Sequence, residues 1–411
     1  MNPDLLLRTI DNLRDLAVEL QRGLVAIPAV CPASGGEGEL DKAVWLEAEL
    51  RRLGLADLGR CDAPDPAAKG GVRPNLVARL PGADRSRTLW LMSHLDIVPP
   101  GDLAAWRSDP YTLVVEDGRL IGRGVEDNHQ AIVASILVAR AFLELGWTPP
   151  VDLALLFCAD EETGSAYGAR FLARERADLF GPQDSFVVPD AGNAEGTLLE
   201  IAEKSIWWLK VRTTGKQCHA ASPERGVNAF RAASDLVVRL GSLRQTFAQR
   251  DPLFDPPVST FEPTKKEPNV PNVNTVPGDD VFYLDSRVLP TVPLAAVEAE
   301  VRRLAAEVER EHGVTIALED VQREQAAPPT SPEADVVRLI ADAVRRVHGV
   351  TALPKGIGGG TVAAVFRGLG LPAAVYARLD ESAHQPDEYC LLDNLIGDAK
   401  VFALAALGLA R

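Results

Sequence analysis

Residues 152–164 read DLALLFCADEETG. The first eight are almost continuously apolar, and the chain then turns abruptly to three acids in a row. A strand with one solvated face alternates apolar and polar residues. An unbroken apolar run is what a strand covered on both faces carries, and such strands belong to parallel sheets flanked by helices. The neighbouring segments agree. Residues 130–145, rich in Ala, Ile, Leu and Val, predict a buried helix, while 88–92 (TLWLM) and 185–189 (SFVVP) predict two more buried strands. These also end in chemistry: 88–92 runs into Ser93, His94 and Asp96, and 185–189 into Asp190. Ligands of doubly wound α/β sheets gather outside the carboxyl ends of the strands. A site built from residues 93–96, 160–162 and 190 is therefore expected. On an extended backbone His94 and Asp96, two apart, share a face, and a carboxylate beside a ligating histidine fixes its tautomer.

Composition narrows the class. The 411 residues are 46% hydrophobic and 25% charged, which is the texture of a globular protein of more than one domain. No run of about 18 apolar residues occurs, so no membrane span is expected. The net charge of −15 and the absence of a basic tract argue against a nucleic-acid partner. The five cysteines are scattered and form no C-x-x-C pair. Together with an N-terminus lacking the plan of a signal peptide, this gives the expectation of a reduced, cytoplasmic protein.

Along the chain, helices are expected over 1–25 and 40–53, strands over 75–80 and 88–92, and a hairpin over 111–123 around Asp117-Gly118. From about residue 205 the pattern changes to β-α-β-β-α-β, counting one strand in the proline- and asparagine-rich stretch 251–280. That order suits a small open-faced sandwich inserted into the first domain. The expected division is 1–204 and 326–411 for an α/β catalytic domain, and 205–325 for an α+β ferredoxin-like insert.

The acids and histidines at strand ends and in loops are His94, Asp96, Asp127, Glu161, Glu162, Asp190 and His384. Divalent zinc accepts imidazole and carboxylate ligands when thiolates are absent. Two histidines and three carboxylates can serve two ions if one carboxylate bridges, and paired ions activate water and polarise a substrate oxygen. Of the adjacent Glu161 and Glu162, one would ligate and the other would be free as a general base. His129 reads as packing at a helix start.

The motifs SHLDIVPPGD (93–102), W-x-x-DP (Trp106, Asp109, Pro110), GRGVED (122–127) and DEETGS (160–165) occur in order. Together they resemble the dizinc aminoacylase/carboxypeptidase metallopeptidase family, which includes acetylornithine deacetylases and succinyl-diaminopimelate desuccinylases. The resemblance implies a zinc-peptidase-like catalytic domain with a lid and dimerisation insert. It implies two divalent ions, zinc or else cobalt or manganese, held by His94, Asp127 as the bridge, Glu162, Asp190 and His384. Asp96 would orient His94 and Glu161 would be the base and proton shuttle. His219 (KQCHAASPE) would reach the partner subunit's site in a homodimer and stabilise an oxyanion. Asn274, Arg287, Gly360 and Thr361 would bind substrate, Arg287 by gripping a carboxylate. Lys204 is a further candidate for the acyl carboxylate. One departure stands out: the family's lysine two residues after the bridging aspartate is His129 here. The expected reaction is hydrolysis of small N-acyl amino acids, of desuccinylase or deacetylase type. The alternatives are a dipeptidase or carboxypeptidase of the same family, and a non-catalytic binding protein on this fold.

Overall fold

In the computed structural model, which describes residues 1–409, the chain divides into two compact units. The first comprises Met1–Ile201, Thr330–Lys355 and the chain from Thr361 onward; the second comprises Ala202–Pro329 and Gly356–Gly360. The glycine loop therefore belongs with the insert, whereas the sequence pattern groups it with the catalytic part.

The first unit is built on an eight-stranded sheet: β1 (Asp57–Pro64), β2 (Val72–Leu80), β3 (Asp84–His94), β4 (Val151–Cys158), β5 (Ser185–Gly192), β6 (Leu198–Glu203), β7 (Leu353–Ile357) and β8 (Ala373–Ala377), in spatial order β1-β2-β4-β3-β5-β8-β6-β7. Strands β4, β3, β5 and β8 are consecutive neighbours and mutually parallel. Every residue of β4 is buried, as its apolar run requires. Outside this parallel core β2 runs antiparallel to β4, and β1 antiparallel to β2. Sequence pattern alone misses β1, β6 and β7. β1 is an exposed edge carrying Gly59 and ending at Pro64, so it lacks both an apolar run and a clean alternation. Glycine and proline likewise disguise β7.

The first four helices are α1 (Pro3–Asp11), α2 (Arg14–Val25), α3 (Leu40–Arg52) and α4 (His129–Glu144). The single helix expected over 1–25 is thus two. Asn12 closes α1 by sending its N–H back to Arg8 and Thr9, tightening the last turn before Leu13 restarts the helix. α4 is buried nearly all round.

The second unit contains a four-stranded sheet in the order Thr260–Lys266, Asp279–Val288, Ser205–Thr214, Thr315–Glu324, with helices Ala229–Leu240 and Leu294–His312 packed on it through Leu236, Leu240, Val297, Val301 and Val308. This is the open-faced order expected for the insert, and the proline-rich stretch supplies Thr260–Lys266. Among the described residues no helix is long and apolar enough to cross a membrane, and all five cysteines are free.

One buried acid in the first unit sets a pH dependence. Asp398, on helix Leu392–Gly408, accepts hydrogen bonds from Gln130 Nε2 (2.8 Å) and the Arg378 amide (3.1 Å) but forms no ion pair among the described residues, and the Arg378 charge offsets its burial only in part. Burial pushes its pKa up to about 8. A folded-state pKa above the unfolded one means that stability is greatest when Asp398 is protonated and is lost as pH rises from about 4 through about 8. Asp398→Asn should therefore raise the melting temperature at pH 8.5 relative to the native chain and flatten its decline with pH. An unchanged or lowered melting temperature there contradicts this reading.

Candidate metal centre

The carboxyl ends of the four parallel strands carry the site. His94 is the last residue of β3, Glu161 and Glu162 follow β4 in a short 3₁₀ turn, Asp190 lies near the end of β5, and His384 sits in the loop after β8. Asp127 comes from the loop entering α4. Two groups of ligand atoms result, His94–Glu161–Asp190 and Asp127–Glu162–His384, with the atoms of each group within 4.8 Å of one another. Asp127 joins the groups: Oδ1 is 2.9 Å from His94 Nε2 and Oδ2 is 3.1 Å from His384 Nε2. One carboxylate facing two histidines through different oxygens is the arrangement a bridging ligand needs. Glu162 is 3.2 Å from His384 Nε2, and Asp190 is 3.4 Å from His94 Nε2. Imidazole and carboxylate donors in two clusters sharing a carboxylate fit a pair of borderline divalent cations.

The two glutamates differ. The Glu161 carboxylate has no hydrogen-bond or ion-pair partner among the described residues, whereas that of Glu162 faces His384. Burial, reinforced by Asp190, raises the Glu161 pKa well above the ordinary range. Burial alone would lower His94, but its hydrogen bonds to Asp127, Asp190 and Asp96 raise it well above 6.5. His384 is raised to about 10 by Asp127 and Glu162. Burial would raise Asp127, yet the two histidines hold it far below the usual carboxylate range.

Asp96 was expected to hold His94 by its carboxylate. The closest partner of His94 Nδ1 is instead the Asp96 main-chain carbonyl at 3.0 Å, with the carboxylate at 3.4 Å. That carboxylate also works elsewhere, its two oxygens accepting the amide N–H groups of Glu161 and Glu162, each at 3.0 Å. Asp96 thereby ties the end of β3 to the glutamate turn.

The residues that fix the two loops escape a reading of the sequence. Glu388 accepts the N–H groups of Gly124, Glu126 and Asp127 and pairs with Arg123 at 2.5 Å, so it shapes the Asp127 loop. Glu126 accepts the N–H groups of Asp380, Ser382 and Ala383, so it shapes the loop carrying His384. Each loop is thus held by a glutamate from the other. Asn128 donates to Asp190 Oδ1 at 2.7 Å. Behind the glutamate turn, buried Arg73 pairs with Glu39 and lies 3.4 Å from Asp160, whose carboxylate also accepts from the Thr163 hydroxyl and the Tyr167 amide. Only the place of Glu126 in GRGVED and of Glu388 four residues after His384 hints at them.

The remaining candidates lie outside this cluster. Within the second unit His219 and Asn274 are neighbours: a two-residue ribbon pairs His219 with Thr275, and the Ala220 amide donates to Asn274 O at 2.8 Å. His219 is exposed, and its Nδ1 accepts the Ala221 N–H, which leaves Nε2 as the N–H donor of the neutral ring. Arg287 directs Nε and Nη2 at Asp285 and Nη1 at Gly358 O. Gly360 belongs to this unit and Thr361 to the first. Lys204 is corrected: its Nζ donates to Pro256 O (2.9 Å) and Val258 O (2.7 Å), and the buried side chain anchors a proline-rich loop instead of facing a substrate.

Comparison of the fold gives the class first. The chain is similar to aminopeptidase PepT from Bacillus cereus (TM-score 0.77, 20% identity, covering 97% of this chain and 99% of that one) and to human carnosine dipeptidase 1 (TM-score 0.71, 20% identity, covering 100% and 99%). At these identities the likeness concerns the fold. The sequence then places it: residues 90–408 match peptidase family M20/M25/M40, and the chain belongs to that family of metallohydrolases. It is 36% identical over 410 residues to an uncharacterized metallohydrolase of Methanococcus maripaludis, covering 95% of this chain and 98% of that one. It is 30% identical over 388 residues to a succinyl-diaminopimelate desuccinylase of Stenotrophomonas maltophilia, covering 92% and 95%.

If the two donor groups each hold one ion, His384→Ala should reduce the metal content found by elemental analysis from two equivalents to one, with the fold retained by circular dichroism. An unchanged count removes His384 from the ligand set.

Proposed function

We propose that the protein is a dinuclear amidohydrolase that removes the acyl group from small N-acyl amino acids, with a desuccinylase or deacetylase preference. The observation that carries the reaction class is the unpartnered Glu161 carboxylate standing beside a bridging-type Asp127. The preference for acyl amino acids is supported by full-length similarity to desuccinylases, and a dipeptidase is the competing outcome of the test below.

In this reading Asp127, close to His94, takes the place of Glu161 in the first group, so that His94, Asp127 and Asp190 would hold one ion and Asp127, Glu162 and His384 the other, leaving Glu161 as the base. Zinc is the ion that suits these donors best. The bound pair supplies Lewis acidity toward the amide carbonyl and makes water a stronger acid. Glu161, free of other partners, takes the proton of the attacking water and returns it to the leaving nitrogen, so that the C–N bond breaks as the new C–O bond is kept. Asp96 and the Glu126–Glu388 exchange keep base and ligands in register. His219 of a second copy would donate Nε2–H to the developing oxyanion, which makes the working form a homodimer. Asn274, Arg287, Gly360 and Thr361 would contact the substrate, Arg287 with its orientation set by Asp285.

Two measurements test this. Glu161→Gln should keep both ions and lose about 10²–10⁴-fold in kcat, the usual worth of a general base; near-native turnover rules out the assignment. A panel of N-succinyl-diaminopimelate, N-acetylornithine, N-acetyl-lysine and dipeptides, run with metal-loaded enzyme, should give the highest kcat/KM on an acyl amino acid. Fastest turnover of a dipeptide would make the enzyme a peptidase.

A further inference from the structure

At the start of α4 lies a cation that the metal and substrate roles above leave unused. Lys42, in the first turn of α3, is fully buried, and its Nζ stands 2.7 Å from Nε2 of His129, also fully buried. A buried ammonium is ordinarily paired with a carboxylate. Here no carboxylate lies within ion-pair distance, and the imidazole is the only hydrogen-bond partner among the described residues. His129 is the first residue of α4, two after Asp127. Gly124 backs its ring so closely that a Cβ there would stand 2.8 Å from Cε1. The ring accepts from Lys42 through Nε2, so its proton sits on Nδ1, which has no partner.

The charges that reach Lys42 are Asp96, Glu39 and Glu388; those that reach His129 are Lys42, His94 and Asp127. Burial lowers the Lys42 pKa to about 7, with the three acids opposing. An ammonium can only donate, so the Nε2 that takes its hydrogen bond carries no proton, and the ring is the uncharged member of the pair. The pair therefore holds a single positive charge beside the start of α4, two residues from Asp127 and within the reach of Asp96.

We propose that Lys42 is a metal-tuning residue: seated on His129, its ammonium offsets part of the negative charge of the ligand cluster and weakens the hold of that cluster on divalent cations. This inference rests on the metal-pair reading above. A residue that merely props up the site would, when removed, weaken metal binding. A repelling charge, when removed, must tighten it. The sign of the change separates the two.

The test is competition between the enzyme and a chromogenic zinc chelator at slightly acidic pH, where Lys42 holds its proton. Lys42→Met keeps the apolar stem and removes the charge. It should bind zinc about ten-fold more tightly or better, the order expected for a unit charge acting on a dication through protein. The double variant K42M/H129K returns an ammonium to the same place from α4 and should bring the affinity back to within about three-fold of native. Equal or weaker binding by Lys42→Met overturns the proposal. If that variant does not fold, Lys42→Gln takes its place: tighter zinc binding than native supports a role for charge, and equal or weaker binding overturns it. A native protein that takes up no zinc would instead refute the metal-pair reading itself.

Discussion

Asp127 divides its two carboxylate oxygens between two histidines, one ending strand β3 and the other in the loop after β8. Most of the first unit can be understood as what makes that sharing hold. Asp96, Asp127, Glu161, Glu162 and Asp190 converge at one end of the sheet, where like charges repel and burial penalises each. Such a cluster persists only with compensating positive charge. The raised proton affinities of His94 and His384 and the depressed one of Asp127 express that demand. A pair of divalent cations, as proposed, would meet it with chemistry in addition.

Holding ligands in place against their mutual repulsion requires rigid supports. The parallel strands fix where the chain emerges, but Asp127 and His384 both lie in loops. Glu388 and Glu126 solve this by reciprocal capture, each satisfying several backbone N–H groups of the other loop. Ligand orientation is thus set by buried hydrogen bonds instead of by loop stiffness, which is how metal sites usually position their ligands. On the other side Asp96 holds the glutamate turn, and Glu39 and Arg73 brace Asp160. The first turn of α3 and the residue before it, through Glu39 and Lys42, thereby back both halves of the site.

Much of this was readable in the sequence, for a physical reason. The apolar run 152–159 can be nothing but a buried strand once it stops at three acids, and strand ends in such sheets are where ligands meet. His94, Asp190 and the Glu161–Glu162 pair follow from that rule, and resemblance supplied Asp127, His384 and the order of roles. What escaped were residues whose partners are remote in sequence. Glu39 and Lys42, three apart at a helix start, look like an ordinary exposed ion pair, and nothing local reveals that one meets Arg73 and the other His129. Lys204 looked like a free cation near the site because its acceptors, two main-chain carbonyls, leave no mark in sequence. Edge strand β1 was hidden by its exposure.

The central claim is that Asp127 lies between two metal positions. Anomalous X-ray scattering from crystals grown with zinc tests it most directly. Two peaks roughly 3.5–4 Å apart are predicted, one beside His94 and Asp190, the other beside Glu162 and His384, with one oxygen of Asp127 toward each. A single peak, or a pair in which Asp127 contacts neither ion, would contradict the account.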